Sequence, residues 1–236
     1  MKPDVFVVGE VWHRAASWLR GNAFHSVMNY PWRAAVLDFL ARDAVGPAIF
    51  WERLESLRFS YAPPATEALV NLIGSHDTPR FRTLAGGQVW RLKLALLFLF
   101  AYPGVAQVYY GDEVGMEGGE DPDCRRPMEW QPGAEGEEVR RLVRALGQAR
   151  RRHPALRTGR LKLAALDDVA EALAFWRILP GKDACLAVIN RGERPWELSK
   201  ADLLGAAGTE ELPQGPLNFW LVAGTQPAPV PAREGV

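Results

Sequence analysis

The stretch Ala68-Leu69-Val70-Asn71-Leu72-Ile73 is short, apolar and nearly unbroken, and it ends in Gly74-Ser75-His76-Asp77. A run of this kind reads as a strand buried on both faces, as strands of parallel sheets are. In folds that alternate strand and helix, the C-terminal end of each strand carries the chemistry, so a His-Asp pair there is informative. A second apolar run, Asp4 to Val8, ends the same way, in Gly9-Glu10-Val11-Trp12-His13. One strand-helix unit takes about 30 residues, so Glu10 and Asp77 are about two units apart. Both carboxylates are therefore expected on one rim of one sheet.

The rest of the chain extends this pattern. Strands are expected at Val5–Val8, Phe24–Met28, Leu69–Ile73 and Val105–Tyr110. Pro31 suits a first helical turn, and Trp32–Arg42 follows it as a helix. Gly46-Pro47 breaks that helix, a second runs from Ala48 to Phe59, and Pro63-Pro64 reads as its end. Val89–Tyr102 is a long apolar helix stopped by Pro103-Gly104. Glu137–Arg152 is amphipathic, with Val139, Leu142, Val143 and Leu146 on one face. After Gly159 the pattern changes to short runs: Leu161–Leu166, Ala172–Ile178, Ala184–Asn190 and Phe219–Val222, with Pro180-Gly181 and Arg191-Gly192 as turns. The expected organisation is a strand-helix region over 1–157, a small antiparallel β domain over 158–225, and a proline-rich disordered tail over 226–236.

Composition narrows the partners. The 236 residues include 28 basic and 28 acidic side chains, so nothing points to nucleic acid or an anionic membrane. The arginines between Arg140 and Arg160 alternate with apolar residues and read as a solvated helix face. The most apolar stretch, Leu94–Tyr110, is shorter than the roughly 20 residues of a membrane span and is interrupted by proline. The two cysteines, Cys124 and Cys185, show neither metal-ligand spacing nor a disulfide framework. With no leader visible after Met1, a cytoplasmic location is expected. Of the nine tryptophans, Trp18, Trp32, Trp51 and Trp90 read as core or interface.

Five stretches carry a family resemblance: Gly9-Glu10-Val11-Trp12-His13, Val27-Met28-Asn29-Tyr30-Pro31, Gly74-Ser75-His76-Asp77-Thr78-Pro79-Arg80, Tyr109-Tyr110-Gly111-Asp112-Glu113-Val114-Gly115-Met116, and Asp121-Pro122-Asp123-Cys124-Arg125-Arg126-Pro127-Met128. Taken in order, they resemble the α-amylase superfamily of glycoside hydrolases, and within it the cyclomaltodextrinase, neopullulanase and maltogenic amylase group. The resemblance implies an α/β fold: about four units forming the second half of a (β/α)8 TIM barrel, followed by a small antiparallel β-sandwich. It implies an α-glucan oligosaccharide as substrate and no cofactor or metal.

Residue by residue, Glu10 aligns with the general acid/base of a retaining mechanism, which protonates the departing glycosidic oxygen and then activates water. Asp77 aligns with the carboxylate that binds sugar hydroxyls and favours the oxocarbenium-like transition state. His76 resembles a hydroxyl donor in the same subsite, and Trp12 a stacking platform on the leaving-group side. Asp121 and Arg125 resemble a sugar-contacting pair. The family nucleophile, an Asp in a Gly-x-Arg-x-Asp motif on the preceding strand, has no counterpart before Glu10. The first half of the barrel is thus expected elsewhere, as a partner for the open edges of this half, or those edges lead to self-association.

Other readings compete for the same residues. His76-Asp77 as part of a serine hydrolase triad lacks a G-x-S-x-G elbow. Asp112-Glu113 and the acidic loop Glu117–Asp123 as metal ligands compete with structural roles at strand and loop ends. The alternative function is a non-catalytic sugar-binding or interaction module that retains the motifs.

Overall fold

The computed structural model describes residues 4–208, 212 and 218–223. Val8–Gly9 (β1) and Ser26–Val27 (β2) pair in parallel, as do Val70–Leu72 (β3) and Val105–Gln107 (β4). A parallel bridge from Met28 to Val70 joins the two pairs. The four strands therefore form one arc in chain order, all pointing the same way. The arc is open and is a set of short parallel pairs, not a closed barrel.

Parallel neighbours need crossover connections, and helices supply them. Tyr30–Leu40 (α1), Pro47–Arg58 (α2) and Pro63–Ala68 (α3) link β2 to β3. Phe81–Leu84 (α4) and Val89–Ala101 (α5) link β3 to β4. Ala134–Arg152 (α6) and Ala155–Thr158 (α7) follow β4. Between β1 and β2 the chain makes only a short 3-10 turn at Ala16–Trp18. Asn29 starts α1 by accepting the Trp32 N–H at 3.3 Å through its side chain, which satisfies one of the helix's unpaired donors. Pro63 and Pro64 begin α3, where the sequence pattern has them end a segment; proline lacks only an N–H that a first helical turn does not use.

The expected antiparallel β-sandwich is corrected. Arg160–Asp167 (β5), Ala172–Leu179 (β6) and Asp183–Asn190 (β7) are antiparallel, but Asn218–Ala223 (β8) returns parallel to β7. A parallel return needs a crossover, and Lys200–Ala207 (α8) lies on it. Among the described residues there is one mixed sheet. One face takes α8: Ala174, Trp176, Ile178 and Leu186 cluster with Leu203 and Ala207, and Trp176 Nε1 donates to Leu203 O at 3.0 Å. Coverage of both faces explains why β6 is buried along nearly all its length. The proline-rich tail lies outside the described residues.

The other face of this sheet continues the core of the helices. Leu173, Phe175, Ala187 and Ile189 belong to the same apolar cluster as α1, α2 and α5. Phe98 of α5 is its hub. Its ring lies 5.6 Å from Trp32, 5.2 Å from Phe50, 5.3 Å from Tyr102 and 5.6 Å from Phe175. Polar ties seal the same junction. The buried Arg177 on β6 donates to Ala101 O at 2.7 Å, Leu156 O at 3.2 Å and Gly159 O at 2.9 Å. Arg191 donates to Phe39 O and pairs with Glu171 at 3.1 Å. Of the tryptophans read as core or interface, Trp32 and Trp51 are buried, Trp90 is partly so and Trp18 is exposed. Trp18 sits in the helix-poor β1–β2 connection, stacked on Phe24 at 5.6 Å with little else to cover it. Both cysteines are buried. Among the described residues, no helix is long and apolar enough to cross a membrane.

The shared core predicts shared stability. Phe98→Ala should cost about 3–5 kcal/mol, as large-to-small changes in packed cores do. Chemical denaturation should show the helical and β signals weakening in one transition. A loss below about 1 kcal/mol, or two separate transitions, would contradict the shared hub.

Candidate active site

The candidate site forms where the loops after β1, β2 and β3 leave the same end of the arc. The end of β1 is fixed from below. Gly9 packs so closely on Phe24 that an added Cβ would come 2.5 Å from its ring, so a larger residue would force Phe24 to move. The next residue, Glu10, is exposed. The buried Tyr30, first residue of α1, donates its phenolic hydrogen to Glu10 Oε1 at 2.9 Å. Trp12 lies flat on the Tyr30 ring, at 3.8 Å between centroids and 11° between planes, and remains 52% exposed. Its other face is thus available to a ligand.

The loop after β3 is a tight polar turn. Ser75 N–H donates to Thr78 Oγ1 at 3.1 Å, and Asp77 N–H donates to Ser75 Oγ at 3.3 Å. Tyr30 Oη also lies 3.3 Å from Ser75 Oγ. Arg33 on α1 holds both ends of this turn through Ile73 O at 3.0 Å and Pro79 O at 3.1 Å. His76 Nε2 lies 3.2 Å from Asp77 Oδ2, and Arg125 Nη2 lies 3.3 Å from Asp77 Oδ1. Arg125 Nε also contacts Asp121 Oδ1 at 2.7 Å and His76 O at 3.0 Å. The structure therefore brings His76, Asp77, Asp121 and Arg125 into one exposed cluster. Glu10 and Trp12 connect to it through Tyr30 and Ser75. All six residues singled out from the sequence lie at the C-terminal end of the arc.

Beneath the cluster is a buried ion pair that no local sequence signal identifies. Arg80 Nη1 donates to Asp112 Oδ1 at 3.1 Å and to Tyr110 O at 2.7 Å. Its guanidinium also lies over the Tyr109 and Tyr110 rings, at 4.6 and 5.0 Å. Burial pushes the Asp112 carboxyl up to about 7, and the Arg80 charge opposes that shift. The pair clamps the β3 loop to the β4 loop.

Tyr30, Ser75, Arg33 and Arg80 escape assignment from sequence because each touches the exposed cluster through a neighbour and lies behind it. The available signal is position: Tyr30 comes three residues after the end of β2, as Glu10 comes directly after β1.

Most of the acids that compete as metal ligands contact other protein groups. Glu113 Oε2 accepts the Gly111 N–H at 2.6 Å, Glu117 pairs with Arg82 at 3.3 Å, and Asp123 pairs with Arg126 at 2.7 Å. Among the described residues, His153, Asp183 and Cys185 bring three potential ligand atoms within 4.8 Å of one another, at the end of α6 and the start of β7. There His153 Nδ1 lies 3.3 Å from Asp183 Oδ1, and Asp183 Oδ2 accepts the Ala155 N–H at 3.1 Å. Capping and packing at that junction account for these contacts.

Known proteins resemble this chain in sequence and fold. Residues 1–159 match the family described as "Alpha amylase, catalytic domain". The chain is 41% identical over 198 residues to a cyclomaltodextrinase of Geobacillus thermopakistaniensis, covering 84% of this chain and 34% of that protein. It is 39% identical over 194 residues to neopullulanase 2 of Thermoactinomyces vulgaris, covering 82% of this chain and 33% of that protein. Among solved structures, a cyclomaltodextrinase superposes with a TM-score of 0.76 at 39% identity, covering 80% of this chain and 32% of that chain. The chain thus spans about a third of the length of the curated relatives it matches. With a family match over two thirds of its residues and a parallel arc that superposes on a solved relative, the chain belongs to the α-amylase family.

Proposed function

We propose that this chain supplies the acid-bearing half of the catalytic barrel of a retaining glycoside hydrolase. The substrates are maltooligosaccharides, cyclodextrins or pullulan, cleaved at α-1,4 and in some cases α-1,6 glucosidic bonds. The observation that carries the reading is an exposed Glu10 at the C-terminal end of a parallel strand, gripped by a buried tyrosine and linked to the His76–Asp77 cluster. The names of the relatives support the substrate class.

In this reading, a carboxylate from the preceding barrel half attacks the anomeric carbon. The glycosidic C–O bond breaks, its electron pair goes to the departing oxygen, and Glu10 supplies that oxygen's proton. Water then attacks the anomeric carbon, the bond to the enzyme carboxylate breaks and frees that carboxylate, and Glu10, now ionised, takes the water's proton. Asp77, fixed between His76 and Arg125, accepts hydrogen bonds from sugar hydroxyls as the ring flattens. Trp12 offers its free face to the sugar on the leaving-group side, and Arg125 with Asp121 offers polar contacts to neighbouring rings.

The partner for the open arc is the first half of the barrel, with self-association the competing outcome. Val5, Phe6 and Val8 at the β1 edge and Val105 and Tyr110 at the β4 edge are exposed apolar residues. Exposed apolar surface and unpaired strand edges favour association.

In the complete enzyme, Glu10→Gln should lower turnover of maltotriose by about 10²- to 10⁴-fold, the usual worth of general acid catalysis, with substrate binding largely intact. Near-wild-type turnover of this unactivated substrate would remove Glu10 from the acid role. The chain assayed alone on maltotriose and β-cyclodextrin should be inactive and should gain activity when co-expressed with the first barrel half. Hydrolysis by the chain alone, abolished by Glu10→Gln, would contradict the division of labour. Binding without hydrolysis in the assembled protein would favour the sugar-binding module.

A further inference from the structure

We infer that Tyr30 is the positioning residue of the acid: it aims the Glu10 carboxyl and, through Ser75, holds it in register with the Asp77 loop. This rests on the proposed role of Glu10. The starting point is a mismatch of mobility. Glu10 is an exposed side chain with several rotatable bonds, and fixing such a chain in one rotamer costs conformational entropy. Proton delivery needs the carboxyl within hydrogen-bond reach of one particular oxygen. Something rigid has to hold it.

Tyr30 is rigid for reasons spread over three strands. It is 5% exposed and stacked on Trp12. Its neighbour Asn29 donates its backbone N–H to Val70 O at 2.8 Å, and its side-chain Nδ2 to Asn71 Oδ1 at 2.8 Å. Asn71 in turn donates to Pro103 O at 2.7 Å. The phenol is thus anchored to β3 and to the end of the α5 region before it touches Glu10.

The hydrogen bonds have a direction. A phenol carries one proton, and the shorter contact, to a carboxylate, claims it. Ser75 then donates its hydroxyl hydrogen to Tyr30 Oη while its own oxygen accepts the Asp77 N–H. The result is a chain Glu10–Tyr30–Ser75–Asp77 that joins the loops of three successive strands. The phenol keeps its proton throughout the working range: burial foremost, and the Glu10 charge with it, raise its pKa to about 12, against the opposing Ser75 contact.

The test compares two substrates in the complete barrel. Tyr30→Phe keeps the ring and its stack on Trp12 but removes the hydrogen bond. With maltotriose, whose leaving group needs a proton, kcat/KM should fall about ten- to hundred-fold, the loss of one hydrogen bond to a charged group. With an aryl maltoside bearing a dinitrophenolate leaving group, which departs unprotonated, kcat/KM, which reports the glycosylation step before water is activated, should fall less than about three-fold. Ser75→Ala leaves the Tyr30–Glu10 contact in place but cuts the chain to Asp77; it should show the same split, smaller. It also serves as the second variant if Tyr30→Phe does not fold. Equal losses on both substrates in the variants that fold would mean a merely structural role and would overturn the inference. Glu10→Gln on the same pair of substrates separates the two claims. If it shows the leaving-group split and the Tyr30 and Ser75 variants do not, the inference alone fails. If it shows no split, the acid assignment fails and the inference falls with it.

Discussion

Helix α5 has to be covered on every side, and much of the fold depends on that. Leu94 to Leu99 are six consecutive buried residues. At 3.6 residues per turn, six consecutive positions go all the way round a helix. The parallel arc and α1 cover one side. The mixed sheet covers another, through Phe175 and Ile189, and α6 adds Val139 and Leu146. The carbonyls at the end of α5 cannot be left bare in such a place. Arg177 takes Ala101 O and Arg150 takes Phe100 O at 2.6 Å. Burial pushes the Arg177 guanidinium down, to about 9, and the carbonyls of Ala101, Leu156 and Gly159 accept its hydrogens in that apolar junction. The sheet after Gly159 is therefore as much the outer wall of the helical layer as a module of its own.

That core fixes the strands, and the strands fix where polar loops can leave. Parallel strands put all their C-terminal ends on one side, so three loops converge with little freedom. Their convergence is then locked from within by side chains. Arg33 holds the ends of the β3 loop, Arg80 with Asp112 clamps it to the β4 loop, and Tyr30 with Ser75 ties it to β1. Glu10, Trp12, His76, Asp77, Asp121 and Arg125 are exposed, whereas Tyr30, Ser75, Arg80 and Asp112 are buried and Arg33 is half-buried. This division gives flexible side chains a fixed geometry without burying their charges.

The sequence is legible where one physical signal dominates. The runs Ala68–Ile73 and Leu94–Ala101 are too apolar to be anything but buried. A carboxylate placed directly after a buried strand has few places to be except the rim. That constraint locates Glu10 and Asp77, and family motifs add Trp12, His76, Asp121 and Arg125. Legibility fails where the outcome depends on a distant partner. Nothing local in Phe219–Val222 says whether it pairs parallel or antiparallel. Lys200–Ala207 is too short to announce itself as a crossover helix. Pro63-Pro64 can break one helix or start another, and only the packing of Ala65–Ala68 decides between them. Tyr30 and Arg80 look like ordinary loop-end residues until folding brings Glu10 and Asp112 beside them.

If this rim is the active site, Glu10 meets the glycosidic oxygen while the His76–Asp77 cluster meets the sugar hydroxyls. The most direct measurement is a crystal structure of the complete barrel carrying Glu10→Gln with an intact maltooligosaccharide bound. The residue-10 side chain should then lie at hydrogen-bond distance, roughly 2.6–3.2 Å, from an inter-sugar oxygen. Asp77 and His76 should sit on the hydroxyls of one adjoining ring, with Trp12 against the other. An oligosaccharide seated away from this rim, or one that presents no inter-sugar oxygen to residue 10, would contradict the assignment.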